Sequence, residues 1–186
     1  MNAAVDTDSE FRVETSGGIM RLTINRPRAA NAINSAVAAG LVEALTEANR
    51  DDAVNGVAVG AGWMLAMHAD QVVAAEHAVF SMPEVDIGIA TFVGHALLSE
   101  LVDGAVANDL VLTGRKMDAA EALRHRLAHA VVPAARLMEE AEARAALLAA
   151  KPSVTFRDMK RWVLAQRRAA VIRAEQAHNE LLAAGR

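Results

Sequence analysis

The sequence predicts an α/β fold in which strands and helices are mixed early and helices alone follow. Two alternating apolar and polar runs, 11–15 and 19–24, flank Gly17-Gly18, a pattern typical of a β-hairpin. Apolar residues then recur at helical spacing over 36–49. From residue 134 onward the chain is Ala-rich and amphipathic, which predicts helices alone.

The middle of the chain predicts short elements. Residues 55–62 are rich in small side chains and precede a predicted helix from about Trp63 to His68. Two apolar runs, 71–75 and 78–80, indicate buried strands. Further helices are predicted at 93–102, 105–112 and 134–150, a strand at 128–132, and one long helix from about Val154 to Leu182. Asp118 and Glu121 have the spacing of a capping box, in which each side chain bonds the other's backbone N–H.

Three segments follow from these patterns. Residues 1–9 are polar and acidic and are predicted to be a disordered lead. Residues 10–133 are predicted to form the α/β core, and residues 134–186 a C-terminal helical region.

Composition excludes several kinds of protein. A net charge of −4 and an aromatic content of 3% with no Tyr argue against a nucleic-acid partner. The absence of Cys excludes disulfides and Cys-based zinc sites, and the six His show no metal-ligand spacing, so no metal is expected. The chain has neither a signal-peptide pattern nor an apolar run of roughly 18–20 residues, so we expect a cytoplasmic protein that does not bind membranes.

Four stretches carry recognisable motifs in a fixed order. They are Ile24-Asn25-Arg26-Pro27 with Asn31-Ala32-Ile33-Asn34, residues 55–62 with Leu65-Ala66-Met67, residues 78–88, and Leu112-Thr113-Gly114-Arg115 with Ala120-Glu121-Ala122. Together they resemble motifs of the crotonase (enoyl-CoA hydratase/isomerase) superfamily. The resemblance covers most of residues 11–160. It implies a spiral of ββα units, a homotrimer or hexamer, and acyl-CoA thioester substrates.

The resemblance also implies a missing segment. In the family, a strand, a loop, a helix and a second strand separate the first long helix from the Asn-Gly pair. Here Asp51-Asp52-Ala53-Val54 runs directly into Asn55-Gly56. We therefore expect a truncated spiral with an internal deletion between about Val54 and Asn55, on the order of 40 residues. The lost loop normally supplies one of two backbone N–H groups that hold the thioester oxygen.

The surviving motif residues suggest a site. By resemblance, Glu84 is the catalytic proton shuttle, and the N–H of Ala61 is an oxyanion-hole donor. Gly60, Gly62, Met64 and Phe92 are expected to contact the substrate. From the residues alone, the favoured interpretation of Gly60-Ala61-Gly62 is a tight strand-to-helix turn, and that of Glu84 is a solvated loop carboxylate.

These residues favour an acyl-CoA-processing protein of the enoyl-CoA isomerase or hydratase type, acting in fatty acid metabolism. Met64 stands where hydratases of the family carry a first carboxylate, so isomerisation is favoured over hydration. No cofactor is expected apart from the coenzyme A of the substrate itself. Two alternatives remain open: a catalytically inactive acyl-CoA-binding or structural homologue, and a nonfunctional truncation product.

Overall fold

The computed structural model describes residues 10–16, 19–29, 31, 33, 35–47 and 52–185. These residues belong to two compact units, 1–50 and 51–186, which are described separately. The predicted disordered lead and the Gly17-Gly18 turn lie outside the described residues.

The first unit contains the predicted hairpin. Strands β1 (Phe11–Ser16) and β2 (Ile19–Ile24) pair antiparallel, with Phe11 opposite Ile24, as the alternating pattern predicts. Helix α1 (Ser35–Glu47) packs on both strands. A Cβ at Gly40 would lie 2.5 Å from the Phe11 ring, so the absence of a side chain lets the helix approach the hairpin closely.

The second unit holds short strands and seven α-helices within residues 52–185. The strands are β3 (Asp52–Val54), β4 (Val57–Val59), β5 (Val72–Ala75), β6 (Val79–Ser81), β7 (Met117–Asp118) and β8 (Ala130–Val132). The helices are α2 (Ala61–Met67), α3 (Phe92–Ser99), α4 (Gly104–Thr113), α5 (Ala119–Arg124), α6 (Leu137–Ala149), α7 (Ser153–Val163) and α8 (Ala165–Ala183). Short 3-10 helices span Pro83–Ile87 and Ala134–Arg136 in this unit, and Pro27–Ala29 in the first unit.

Two three-stranded sheets organise this unit. In one, β5 lies between β3 and β8 and is parallel to both, and all four of its residues are buried. A continuous apolar run is what a parallel strand covered on both faces requires. In the other sheet, β6 lies between β4, which is parallel to it, and β7, which is antiparallel. Predicted strands 71–75 and 78–80 thus become the two central strands.

Strand β3 corrects one expectation. We expected the chain to enter Asn55-Gly56 without a preceding strand, but Asp52–Val54 forms one, with Asp52 opposite Val72 and Val54 opposite Ala74. Three residues are too few to show a periodic pattern, and β5 stabilises the strand by pairing. The expectation that no strand directly precedes this pair is therefore wrong, while the internal deletion itself stays a prediction.

The main core lies around helix α2 and strand β6. Trp63 is 1% exposed, and its ring centre lies 5.8 Å from that of Phe80 in a tilted arrangement. Leu97, Leu110 and Met117 are fully buried in the same cluster. Aromatic rings and long aliphatic side chains at this depth provide most of the apolar burial that stabilises the unit.

Helix caps agree with the sequence in part. Asp103 accepts from the Ala105 N–H at 2.8 Å, and Asp118 accepts from the Glu121 N–H at 2.7 Å, as a capping box requires. The reciprocal bond from Glu121 is a wrong prediction. Its carboxylate accepts from both terminal nitrogens of Arg115, at 2.7 and 3.1 Å, because a bidentate guanidinium contact is stronger than a backbone N–H contact.

The long C-terminal helix predicted from Val154 to Leu182 is instead two helices, α7 and α8. They meet at Leu164, whose ψ of −4° departs from the helical value of about −42°. Helix α8 packs on α3, and Lys160 on α7 forms an ion pair with Asp70. Trp162 is 79% exposed, so the residues that the structure describes leave the apolar face of α7 uncovered. Within the described ranges, no helix is both long and apolar enough to cross a bilayer.

Candidate functional site

The turn between β4 and α2 is the first part of the candidate site. Gly60 has φ 54° and ψ −122°, a conformation that side chains rarely adopt. Its N–H donates to the Ser81 carbonyl at 3.0 Å, and its carbonyl accepts from the Met64 N–H at 2.9 Å. These bonds anchor the turn to strand β6 and start the helix at Ala61.

Helix α2 begins without a side-chain cap. The first N–H groups of a helix have no intrahelical acceptor, so those of Ala61 and Gly62 are directed out of the helix start. Ala61 is exposed, and a Cβ at Gly62 would meet no atom within 4 Å. The start of α2 therefore has accessible N–H donors and open space beside them.

Glu84 is the second part of the site. It lies in the 3-10 helix Pro83–Ile87 and is half-buried. A Cβ at Gly60 would lie 2.7 Å from its Oε1, so the carboxylate lies against the peptide that starts α2. Its Oε2 is buried and has no hydrogen-bond partner in the described part of the chain. A buried carboxylate oxygen without a donor is rare in folded proteins, because burial removes its hydrogen bonds to water and no protein donor replaces them.

Asp86, two residues further on, has a different environment. A Cβ at Gly114, the left-handed residue that ends α4, would lie 2.8 Å from Asp86 Oδ2 and 3.2 Å from Pro83 Cα. The end of α4 thus holds the 3-10 helix in place. This contact gives Asp86 a structural role.

Arg115 fixes the same end of α4. Its guanidinium binds Asp109 at 2.5 Å and Glu121 at 2.7 Å. Hydrogen bonding to Arg115 lowers the pKa of Glu121, and the carboxylates raise the pKa of Arg115. The cluster joins α4 to α5 and is structural, since every charge in it is paired.

The structure brings some of the predicted site residues together. Gly60 and Glu84 are in contact, and Ala61 and Gly62 adjoin them in the same turn. Met64 is partly buried and packs against the main core. Phe92 begins α3, and its ring centre lies 6.1 Å from that of His178 in an edge-on arrangement. It lines a separate cavity of about 560 Å³ whose lining does not include Glu84.

That cavity was not found from the sequence. Besides Thr91, its polar residues are His95 on α3, Asn108 on α4 and Arg173 on α8, which are far apart along the chain. The His95 Nε2 lies 2.9 Å from Asn108 Oδ1. No local pattern could signal such a grouping, because three separate helices have to pack before it exists. Over residues 10–16, 19–29, 31, 33, 35–47 and 52–185, no group of His, Asp and Glu side chains could hold a metal ion.

Comparison with solved structures identifies the fold. An enoyl-CoA hydratase from Mycobacterium avium superposes with a TM-score of 0.84 at 25% identity, covering 95% of this chain and 99% of that one. A carnitinyl-CoA dehydratase from Mycobacterium avium 104 superposes with a TM-score of 0.80 at 27% identity, covering 93% and 92%. The predicted crotonase-like α/β fold with a C-terminal helical region is confirmed.

Curated relatives match over a shorter stretch. The carnitinyl-CoA dehydratase of Salmonella typhi is 47% identical over 90 residues, which are 48% of this chain and 34% of that protein. The matched stretch thus spans about a third of the length of such relatives. The sequence profile described as Enoyl-CoA hydratase/isomerase matches residues 52–184, across the point where we expected a break. With most of its residues inside that match, the chain belongs to the enoyl-CoA hydratase/isomerase family of the crotonase superfamily.

Proposed function

We propose that the chain acts on an acyl-CoA thioester as an enoyl-CoA isomerase or hydratase, with Glu84 as the proton shuttle and the Ala61 N–H as an oxyanion donor. One observation carries the proposal. A carboxylate with a buried, unpartnered oxygen lies against the peptide that starts α2, where backbone N–H groups point outward.

The chemistry needs one base and one donor. When Glu84 takes a proton from the carbon next to the thioester, negative charge develops on the thioester oxygen. An N–H held in place by a helix start meets that charge without reorganisation. Returning the proton two carbons further along moves the double bond and restores the carboxylate. One proton moves, and coenzyme A enters as part of the substrate.

Met64 favours isomerisation over hydration. In hydratases of the family two carboxylates handle the water, both in hydration and in its reverse, dehydration, and a thioether cannot accept or donate a proton. Met64 therefore disfavours both of these reactions. The partial burial of Met64 against the core also assigns it a packing role. Isomerisation needs a single shuttle, which Glu84 supplies.

Dehydration of a 3-hydroxyacyl thioester is a second candidate reaction. The 47% identity to carnitinyl-CoA dehydratases over 90 residues favours it. In this reaction Glu84 takes the same proton and gives it to the departing hydroxyl, so that water and the enoyl thioester form. The two candidates use one carboxylate and differ in the group that receives the proton.

Glu84→Gln tests the shuttle, because it preserves the side chain's shape and removes its basicity. We expect isomerisation of a 3-enoyl-CoA, or dehydration of a 3-hydroxyacyl-CoA, to slow by about 10²- to 10⁴-fold. Asp86→Asn is the matched control and should retain the rate. Full activity in Glu84→Gln would refute the proposal. Acyl-CoA binding without turnover in the parent protein would support the inactive homologue.

Ala61→Pro tests the donor. Proline is accepted at the first position of a helix, so the change removes the N–H at little cost to α2. We expect kcat to fall by about 10²- to 10³-fold, with an unfolding temperature close to that of the parent protein. A rate that survives the loss of this N–H would exclude Ala61 as the donor.

The assembly is also a proposal. By its family, the chain is expected to form a homotrimer or hexamer, and the uncovered apolar face of α7 supports self-association. Sedimentation equilibrium gives the mass directly, and a monomer at micromolar concentration would contradict the expectation.

A further inference from the structure

The cavity lined by Phe92 has the size and composition of a small-molecule site. Its volume is about 560 Å³, which falls in the range of roughly 300–1,000 Å³ typical of ligand pockets. It lies where the segment after Glu84, the start of α3, the end of α4 and the middle of α8 meet. All of these belong to the second unit, so the cavity is formed within one compact body.

Its walls are largely apolar and remain in contact with water. Ile89 is 50% exposed, Leu112 is 71% exposed and Phe92 is 37% exposed. Large apolar side chains gathered around one concavity are unfavourable in water and mark a place where an apolar group binds. An alkyl chain or a ring would cover this surface.

The polar groups of the cavity are suited to an anion. None of its twelve lining residues is acidic, and Arg173 forms neither an ion pair nor a hydrogen bond with any residue in the described ranges. With His95 Nε2–H donating to Asn108 Oδ1 at 2.9 Å, the Asn108 amide retains two N–H donors. A guanidinium and an amide at one cavity match the two oxygens of a carboxylate.

We propose that this cavity binds an apolar chain that ends in a carboxylate, with Arg173 as the residue that recognises the anion. The carboxylate has two possible sources: a free carboxylic acid, or the far end of an acyl chain held as a thioester. A chain that ends in a quaternary ammonium is disfavoured, because its charge would meet Arg173 without an acidic partner nearby. The proposal does not depend on turnover at Glu84.

Calorimetric titration of the intact chain with three eight-carbon probes tests the charge preference. The probes are octanoate, 1-octanol and octyltrimethylammonium, which share a chain and differ in charge. We expect octanoate to bind most tightly and Arg173→Gln to weaken it about tenfold or more, with little effect on octanol. Arg168→Gln is the matched control, because it lies on the same helix at a different, smaller cavity.

A second titration, with octanoyl-CoA and octanedioyl-CoA, distinguishes the two sources. If the thioester supplies the carboxylate, Arg173→Gln weakens octanedioyl-CoA and leaves octanoyl-CoA unchanged. If a free acid is the ligand, the loss appears with octanoate and with neither thioester. Either pattern supports the proposal.

Three results would overturn it. They are that neither octanoate nor octanedioyl-CoA binds, that octyltrimethylammonium binds as tightly as octanoate, or that Arg173→Gln leaves the affinities for the carboxylate probes unchanged. Glu84→Gln should leave octanoate binding intact, so the failure of the proposed catalysis and the failure of this site are told apart. Retained near-UV circular dichroism in Arg173→Gln ensures that lost binding reflects lost charge, not lost structure.

Discussion

Two carboxylates of the 3-10 helix Pro83–Ile87 lie against two left-handed glycines, and the two contacts differ. At Gly60 the near atoms belong to the Glu84 side chain alone, whereas at Gly114 the Pro83 backbone lies close as well as Asp86. A side chain can rotate away, but a backbone in a packed turn cannot. The Gly114 contact therefore holds the fold, while the Gly60 contact keeps an acid beside a helix start.

The largest effects are expected at the two glycines, Gly114 and Gly60. Gly114→Ala places a side chain on a left-handed backbone, which costs about 1 kcal/mol of folding stability. The new Cβ also presses against the Pro83 backbone, which adds about 1–3 kcal/mol. Removing the Asp86 side chain as well should restore little of the lost stability, because the contact with the Pro83 backbone remains. Urea unfolding of Gly114→Ala, with and without Asp86→Ala, separates the cost of the Pro83 backbone contact from that of the Asp86 side-chain contact. Full recovery of stability in the double variant would show that the Asp86 side chain alone was responsible.

Gly60→Ala is expected to cost about 1–3 kcal/mol for its backbone conformation, and more for the collision with Glu84 Oε1. Here a second change, Glu84→Ala, should recover the stability that is lost through the collision with Oε1, giving a coupling energy of about 1 kcal/mol between the two positions. Gly62→Ala is the matched control, since a side chain there meets open space. Additive effects of the two changes would contradict the contact.

A paired acid next to Gly114 provides a pH test. Arg115 lowers the pKa of Glu121 below its usual value of 4.5, so the pair stabilises the fold above that pH and loses its effect as the pH falls through the lowered pKa. Glu121→Gln should cost about 1–2 kcal/mol at pH 7, and the difference should shrink below pH 4.5. Glu139→Gln, at an exposed ion pair, should show no comparable difference. A Glu121→Gln difference that does not shrink as the pH falls below 4.5 would be inconsistent with the pairing.

The smallest effect concerns a left-handed position that glycine does not occupy. Arg126 has φ 60°, and its side chain is exposed. Arg126→Gly should therefore stabilise the chain by about 1 kcal/mol, seen as a higher urea midpoint at an unchanged slope. Arg124→Gly, at the end of α5, should instead lower the midpoint. A lower midpoint for Arg126→Gly would mean that its side chain has a favourable contact.

Sequence predicts the parts of this molecule that local physics determines. Alternation around Gly17-Gly18 predicted the pairing of β1 with β2, and the Asp118 cap followed from spacing. Each depends on a few neighbouring residues.

The remaining features depend on tertiary packing. Strand β3 exists because β5 pairs with it, and the end of α7 at Leu164 has neither glycine nor proline to signal it. Resemblance predicted Glu84 and Gly60 as site residues, but the burial of Glu84 Oε2 without a hydrogen-bond partner can be seen only in the three-dimensional structure. The Arg173 cavity was missed because α3, α4 and α8 contribute to it from distant parts of the chain.

The two tryptophans provide intrinsic optical probes with opposite environments. Trp63 is 1% exposed beside Phe80, whereas Trp162 is 79% exposed on α7. Emission from the parent chain is therefore a sum of a blue-shifted component and a red-shifted one, and acrylamide should quench the red-shifted component first. Trp162→Phe leaves Trp63 as a single reporter of the main core, while Trp63→Phe leaves Trp162 as a reporter of whatever covers α7. Fluorescence can thus follow folding and assembly separately, without an added label.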